Sequence, residues 1–389
     1  MTHGTEKTAD LVIVGGGIHG CSAAMFAAQR GLDVIVVEKD TVARHSSGVN
    51  AGGVRRLGRH FAEVPISQKS MEIWYDLPDM VEDDCGFQVA PQIKVAENAE
   101  ELEKLASRAR TLRGMGFEHE VILDHKEIRE HLPAVADHVV GGLGSLTDGF
   151  AQPYQTTFAI SRRARRDGAR IFEGQTVTSV RKDGADWIVE TAETRYRAPK
   201  VLNCAGAWAG KLAGSLGEHA PVEAVAPMML VTARLPHFCD AVVGATGRPL
   251  SFKQMPNGTV VIGGGRRGRA DTSDDLSEML FPELRLTAET AMDLFPIMRG
   301  ATIVRSWSGV EGRMPDDIPV IGMSGKHEGL YHAFGFSMHG FQMGPGVGSL
   351  MAELIATGAT QAPIAPFSIF SFLAQLTLCL RNTLFVFVI

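Results

Sequence analysis

Six residues near the amino terminus, Gly15-Gly16-Gly17-Ile18-His19-Gly20, limit the fold more than any other feature of this chain. They follow a bare apolar run, Leu11–Val14, and open a stretch of small residues from Ile18 to Arg30 that leads to a second run, Val34–Val37. Short uninterrupted apolar runs read as buried parallel strands, so the segment predicts strand, helix, strand: one βαβ unit. Gly15 permits the tight turn, Gly17 lets the backbone approach a pyrophosphate, and Gly20 lets helix and strand pack closely. The amino end of the helix then offers N–H groups to the phosphates. Glu38 stands at the end of the second run, eighteen residues after Gly20, where a carboxylate accepts both ribose hydroxyls and repels a 2′-phosphate. NADP is thereby disfavoured, and FAD and NAD both stay open on this motif alone.

The rest of the chain supports a large α/β protein. Its 389 residues exceed a single small module, and 43 glycines make up about 11% of the chain against a usual value of about 7%. A net charge of −6 gives no general attraction to nucleic acid, so no nucleic-acid partner is expected. The five cysteines are scattered, with no Cys/His cluster at zinc spacing, so no metal is expected, and they suit a reducing cytoplasm. Residues 1–10 are polar and lack the apolar stretch of a secretion signal.

Segments in the style of the first βαβ unit recur. A helix is predicted at Gln155–Asp167, strands near Ala169–Phe172, Thr176–Val180 and Lys200–Cys204, and a charged helix over Glu97–Gly114. Val225–Ala233 and Thr259–Gly264 alternate like antiparallel strands, with a hairpin signal at Pro256-Asn257-Gly258 between them. The expected fold is α/β: a Rossmann-like nucleotide domain interleaved with a smaller α+β substrate domain built on an antiparallel sheet. The nucleotide domain takes 9–78, 148–218 and 309–366, and the substrate domain takes 79–147 and 219–308. A final apolar stretch, 367–389, is interrupted by Gln375, Thr377, Arg381, Asn382 and Thr383, so membrane contact through it is not expected.

Ordered along the chain stand Val14 to Gly20, Ser46-Ser47-Gly48-Val49-Asn50-Ala51-Gly52-Gly53, Asp148-Gly149-Phe150-Ala151-Gln152-Pro153-Tyr154 and Asn203-Cys204-Ala205-Gly206-Ala207-Trp208. They are followed by Ser306-Trp307-Ser308-Gly309, Asp317-Ile318-Pro319-Val320-Ile321-Gly322 and Gly335-Phe336-Ser337-Met338-His339-Gly340-Phe341. On these motifs residues 9–369 resemble the D-amino-acid-oxidase-like family of FAD-dependent oxidoreductases, which includes glycine oxidase, sarcosine oxidase β subunits, opine oxidase subunits and hydroxyproline dehydrogenases. The resemblance implies FAD held by Gly15, Gly17, Ile18, His19, Gly20, Glu38 and Lys39. It implies Ser46, Ser47, Asn50, Ala51 and Gly52 along the pyrophosphate and flavin edge, the backbone of Val177 at the adenine, and Ala205, Gly206 and Trp208 closing over the cofactor. It also places Gly335, Met338, His339, Gly340, Phe341 and Gln342, with Gly344, Gly346 and Gly348, at the pyrimidine side of the flavin, where a helix amino end stabilises negative charge.

The implied reaction takes hydride from the carbon bearing the amine of an amino-acid derivative, such as an opine, sarcosine, a hydroxyproline or a D-amino acid, to flavin N5. The resulting imine then hydrolyses. A carboxylate clamp is expected, and Arg suits it through its forked geometry. Glycine-oxidase-like members carry that Arg where this chain has Glu311, in Trp307-Ser308-Gly309-Val310-Glu311-Gly312-Arg313. Arg56-Leu57-Gly58-Arg59-His60 resembles the Arg-x-x-Arg-His segment of sarcosine oxidases, which makes Arg59 the expected clamp and puts Arg56 near the flavin. Arg313 is a second candidate, and His339 resembles a histidine close to the flavin that polarises the ring or shuttles a proton. Gln342 stands where monomeric sarcosine oxidases place a carboxylate-pairing Lys. Two other readings stay open here: a flavin-bearing, non-catalytic subunit of a heteromeric oxidoreductase, and an NAD-linked dehydrogenase.

Overall fold

The computed structural model describes residues 5–371, so most of the apolar stretch 367–389 lies outside the described residues. The chain forms two compact units. One comprises, among the described residues, 5–44, Thr157–Glu223 and 312–371, and the other comprises His45–Thr156 and Ala224–Glu311.

The first unit is built on a sheet with strand order Arg170–Phe172, Val34–Val37, Leu11–Val14, Lys200–Asn203, Leu330–Phe334 and Val320–Met323. All neighbours are parallel except the last pair. Leu11–Val14 and Val34–Val37 are buried throughout because both faces of the sheet are covered. Val12, Val14, Ile35 and Val37 pack with Trp187, Val189 and Tyr196 of a small second sheet. The opposite face carries the helices Ile18–Gln29 and Gly340–Thr357. Strand order reverses between Leu11–Val14 and its neighbour Lys200–Asn203, and a doubly wound sheet binds ligands at the carboxyl ends of its strands at such a reversal. The Rossmann-like half of the expected fold is therefore present.

The second unit is an antiparallel sheet with helices, as expected. Glu223–Thr232 pairs with Val260–Gly263, which continues to Ser251–Gln254, Val242–Ala245, Gln92–Ala96 and Gly141–Ser145. Val242–Ala245 and Gln92–Ala96 run parallel, an exception to the antiparallel pattern. Ile93, Val243, Phe252, Ile262 and Leu230 share one core with Leu284, Ala291 and Leu294 of the helix Phe281–Leu294.

Two local expectations are corrected. The Pro256-Asn257-Gly258 turn joins Val260–Gly263 to Ser251–Gln254, not to the strand at Glu223–Thr232. Ser251–Gln254 escaped notice because a lysine and a glutamine interrupt its apolar pattern. The strand expected from Thr176 starts only at Ser179. Before it, Gly174 N donates to Asp40 O and Gln175 N donates to Glu38 O, both at 2.8 Å, so the segment is tied to the end of Val34–Val37 instead of to a ladder partner of its own.

Candidate active site

In the first unit the glycine turn is fixed by backbone contacts. Gly15 has φ of +110°, and a Cβ there would overlap Cys204 O. Its N–H donates to Val37 O at 2.9 Å, while Cys204 N donates to Val14 O at 2.9 Å, so three adjacent strands end together. A Cβ on Gly20 would overlap Gly15 O, which is the close helix-to-strand approach expected of that glycine. Gly17 is the N-cap of Ile18–Gln29 and supplies no side-chain cap. The carboxylate of Glu38, nearly buried, accepts from Gly16 N (2.6 Å) and Asp40 N (2.9 Å), so it lies against the turn. Lys39 sets its ammonium 3.6 Å from the Trp208 ring centre, joining the turn to 205–208. Ala205 N donates to Asn203 Oδ1 (3.2 Å), and Gly206 takes φ of +55°. Val177 is partly buried against the core beneath.

The carboxyl-terminal motif meets this turn from the neighbouring helix. Gly335, Ser337 and Met338 have φ of +76°, +51° and +68°. Two non-glycine residues in the left-handed region cost about 1–3 kcal/mol each, and such strain clusters at functional sites. The turn is held by Ser337 Oγ, which donates to Gly335 O (3.1 Å) and accepts from Met314 N (3.0 Å). His339 is the N-cap of Gly340–Thr357, and Phe341 and Gln342 are buried in the first turn of that helix. Phe336 stacks on His19 with ring centres 3.7 Å apart and planes 9° apart. Burial pushes the His19 pKa down to about 3, so its imidazole is neutral, and among the described residues its shielded Nε2 has no hydrogen-bond partner.

Glycines on Gly340–Thr357 bring the two helices together. A Cβ on Gly340 would lie 2.8 Å from His19 Cε1, one on Gly344 would lie 2.7 Å from Ile18 Cγ1, and one on Gly348 would collide with Ser22. The helices run side by side in the same direction with their amino ends together. Sequence reading placed these glycines at the cofactor, whereas Gly344 and Gly348 face the partner helix. Arg313 forms ion pairs with Asp317 (2.7 Å) and Glu223 (3.4 Å), so its charge is already matched.

In the second unit Ser46–Val49 is one short helical turn, and Asn50 Nδ2 donates to Ser46 O (2.9 Å) and Ser47 O (3.2 Å). Gly52 N donates to Asn50 Oδ1 (2.7 Å), so the Asn50 amide shapes the loop through Ala51. Gly52 has φ of +73°, and a Cβ there would overlap Ala151 O. Trp307 Nε1 donates to Val49 O (2.8 Å), a link that no pattern within either motif announces.

The two arginines of the expected clamp region are interior. Arg56 donates from Nε to Asp148 Oδ1 (2.8 Å), from Nη1 to Gln68 Oε1 (3.0 Å) and from Nη2 to Thr147 Oγ1 (2.7 Å). Arg59 is 2% exposed and donates from Nε to Arg55 O (2.9 Å). Burial, then the neighbouring Arg55 charge, pulls its pKa down to about 10. Lys253, which sequence reading missed, is also buried, and its only signal was a lysine next to Phe252 just ahead of the Pro256-Asn257-Gly258 turn.

A family model described as FAD dependent oxidoreductase matches residues 10–354. The chain belongs to this family. It is similar to the beta subunit of sarcosine oxidase from Arthrobacter sp., 26% identical over 94% of this chain and 91% of that protein. It is likewise similar to an opine oxidase subunit of Rhizobium meliloti, 25% identical over 94% and 98% of the two chains. The crystal structure of L-proline dehydrogenase from P. horikoshii shares the fold with a TM-score of 0.88 at 24% identity, covering 95% of this chain and 99% of that one. The protein is an FAD-dependent oxidoreductase, which closes the NAD alternative. Its residues fit the cofactor: the Gly15 position has no room for a side chain, Glu38 lies at the turn, and a shielded polar atom of His19 stands unpaired beside two helix amino ends. Among the described residues no helix is long and apolar enough to cross a membrane.

Proposed function

We propose that this protein oxidises the carbon–nitrogen bond of an amino-acid-derived secondary or primary amine, of the opine, sarcosine, hydroxyproline or D-amino-acid type. The observation that carries the reading is the meeting of two helix amino ends at His19 and Gly340 beside the Gly15 turn. Aligned amino ends favour negative charge, which suits a pyrophosphate and the electron-rich edge of a reduced ring. Bound FAD supplies acceptance of hydride at N5 from the substrate carbon that carries nitrogen, and the protein supplies binding and orientation.

Each residue then has a role. Gly15, Gly17 and the first turn from Ile18 hold the pyrophosphate, Glu38 takes the ribose hydroxyls, and the backbone at Val177 borders the adenine. Ala205, Gly206 and Trp208, with Lys39, close over the cofactor, and Ser46, Ser47 and the Asn50–Gly52 loop border the flavin. The Gly335–Gln342 segment, with the amino end of the helix Gly340–Thr357, borders the pyrimidine edge, and His339 stands at the N-cap of that helix. The product imine hydrolyses in water.

A second reading, a flavin-bearing subunit of a heteromeric oxidoreductase, draws on Glu311 standing in place of an Arg and on Arg313 being matched by Asp317 and Glu223. Similarity to proteins named as subunits agrees with it, as do the exposed apolar side chains Phe281, Ile303 and Val304. An anaerobic absorbance titration with sarcosine, opines, hydroxyproline isomers and D-amino acids separates the two. Bleaching of the flavin bands by one class supports the enzyme and names its substrate. Bands that never bleach favour the subunit, and a purified protein without flavin bands refutes both.

A further inference from the structure

We infer that Lys253 is the seat of the substrate carboxylate, an inference that rests on reading the 46–53 segment as a flavin-side loop. The register of the sheet in the second unit sets its direction. Phe252 enters the hydrophobic core with Val243 and Ile262, so Lys253 points to the opposite face. Across that face its row reads Gln92, Val242, Lys253, Val261 and Val231, with no acidic side chain. Lys253 is 5% exposed, and among the described residues no hydrogen bond or ion pair ties its ammonium. Its Nζ lies 4.6 Å from the ring centre of Phe150, and a Cβ on Gly52 would stand 3.1 Å from it. Phe150 and Gly52 belong to two of the motifs that carry the family resemblance. The glycine at 52 therefore keeps both the backbone approach to Ala151 and the space over the ammonium.

An unpaired buried ammonium is costly, and an aromatic face offsets only part of that cost. A carboxylate entering beside Phe150 supplies the missing partner. Of the groups expected to do so by sequence, Arg59 is turned to its own segment through Arg55 O and Arg313 is paired, while Glu311, standing where relatives carry an Arg, has the wrong charge. Burial alone has already lowered the Lys253 pKa to about 7. The facing groups are neutral: Gly52, Phe150, Val242, Val261 and Gln92, whose amide donates to Gly149 O. On the same face Lys94 is two strands away and Arg305 three, roughly 10 Å or more at the usual strand spacing. Asp148, near Phe150 in sequence, is neutralised by Arg56.

The test uses the FAD-loaded protein, propionate as a carboxylate without an amine, and propionamide as its uncharged counterpart, with binding read by calorimetry. Lys253→Met is expected to keep its FAD yet bind propionate 10- to 100-fold more weakly, with propionamide unchanged, and Lys253→Arg is expected to recover part of the loss. Pairing raises the amine pKa, so propionate binding to the parent protein takes up nearly one proton at pH 8 and none near pH 5.5. That uptake is absent in Lys253→Met. Unchanged propionate affinity in Lys253→Met, or no propionate binding by the parent protein, overturns the inference. Absence of flavin bands refutes the proposed function instead, and it is read separately from the same preparation.

Discussion

Replacing Asp148 by Asn asks whether the Arg55–Arg59 segment is held by its own interior or is free to serve a ligand. Asp148 is fully buried, and Oδ1 accepts from Arg56 Nε (2.8 Å) while Oδ2 accepts from Arg56 N (2.7 Å) and Leu57 N (3.0 Å). An amide keeps one acceptor and turns an NH2 toward donors, and it removes the charge opposite a guanidinium that is then left with Gln68 and Thr147. Breaking one side of a buried pair costs about 3–5 kcal/mol. For a unit of this size, at about 2–4 °C per kcal/mol, the melting temperature falls by roughly 6–20 °C. Thermal and urea unfolding of Asp148→Asn, Arg56→Met and the double variant Arg56→Met/Asp148→Asn give the measurement. The double variant is expected to be more stable than the sum of the single losses by about 2 kcal/mol, because no uncompensated charge remains. A loss under about 1 kcal/mol for Asp148→Asn, or additive single changes, refutes the structural role of the pair.

Three further outcomes follow from the first unit. Gly348→Ala drives a Cβ into Ser22 and its backbone, so a loss of about 1–3 kcal/mol and a lower flavin-to-protein absorbance ratio are expected. Gly344→Ala meets Cγ1, Cδ1 and Cγ2 of the buried, β-branched Ile18 within 3.0 Å but no backbone, so a loss in the same direction and somewhat smaller is expected. Glu38→Gln weakens FAD binding roughly tenfold or more, since a charged acceptor is lost, whereas Val177→Ala changes it little because only its backbone is used, and fluorescence of released FAD compares the two. The third concerns Glu218, which pairs with His332 at 2.9 Å with both side chains fully buried. Burial raises the Glu218 pKa, but the hydrogen bond and charge of His332 and the Gly325 N–H outweigh it and hold the pKa below the ordinary value. The pair therefore stabilises the fold above the ordinary carboxylate range, and this contribution is lost as pH falls through the lowered value. Glu218→Gln should be less stable than the parent at pH 7, with the gap in urea midpoint closing as the medium is acidified below the ordinary carboxylate range.

The sequence by itself determined what depends on neighbours along the chain. Leu11–Val14, the Gly15–Gly20 turn, the helix from Ile18 and Glu38 form one local unit, because a bare apolar run and glycine spacing act within one βαβ crossover. Ordered motifs then named the cofactor. Only the tertiary structure decided where charge goes: Arg56 meets Asp148 across 92 residues, and Lys253 faces away from the core because of the register of Ser251–Gln254 against its neighbours. A guanidinium in a basic sequence looks like a clamp until its carboxylate is seen, and a lysine in a short strand looks like surface. Pairing and burial are sums over distant segments, so no local pattern carries them.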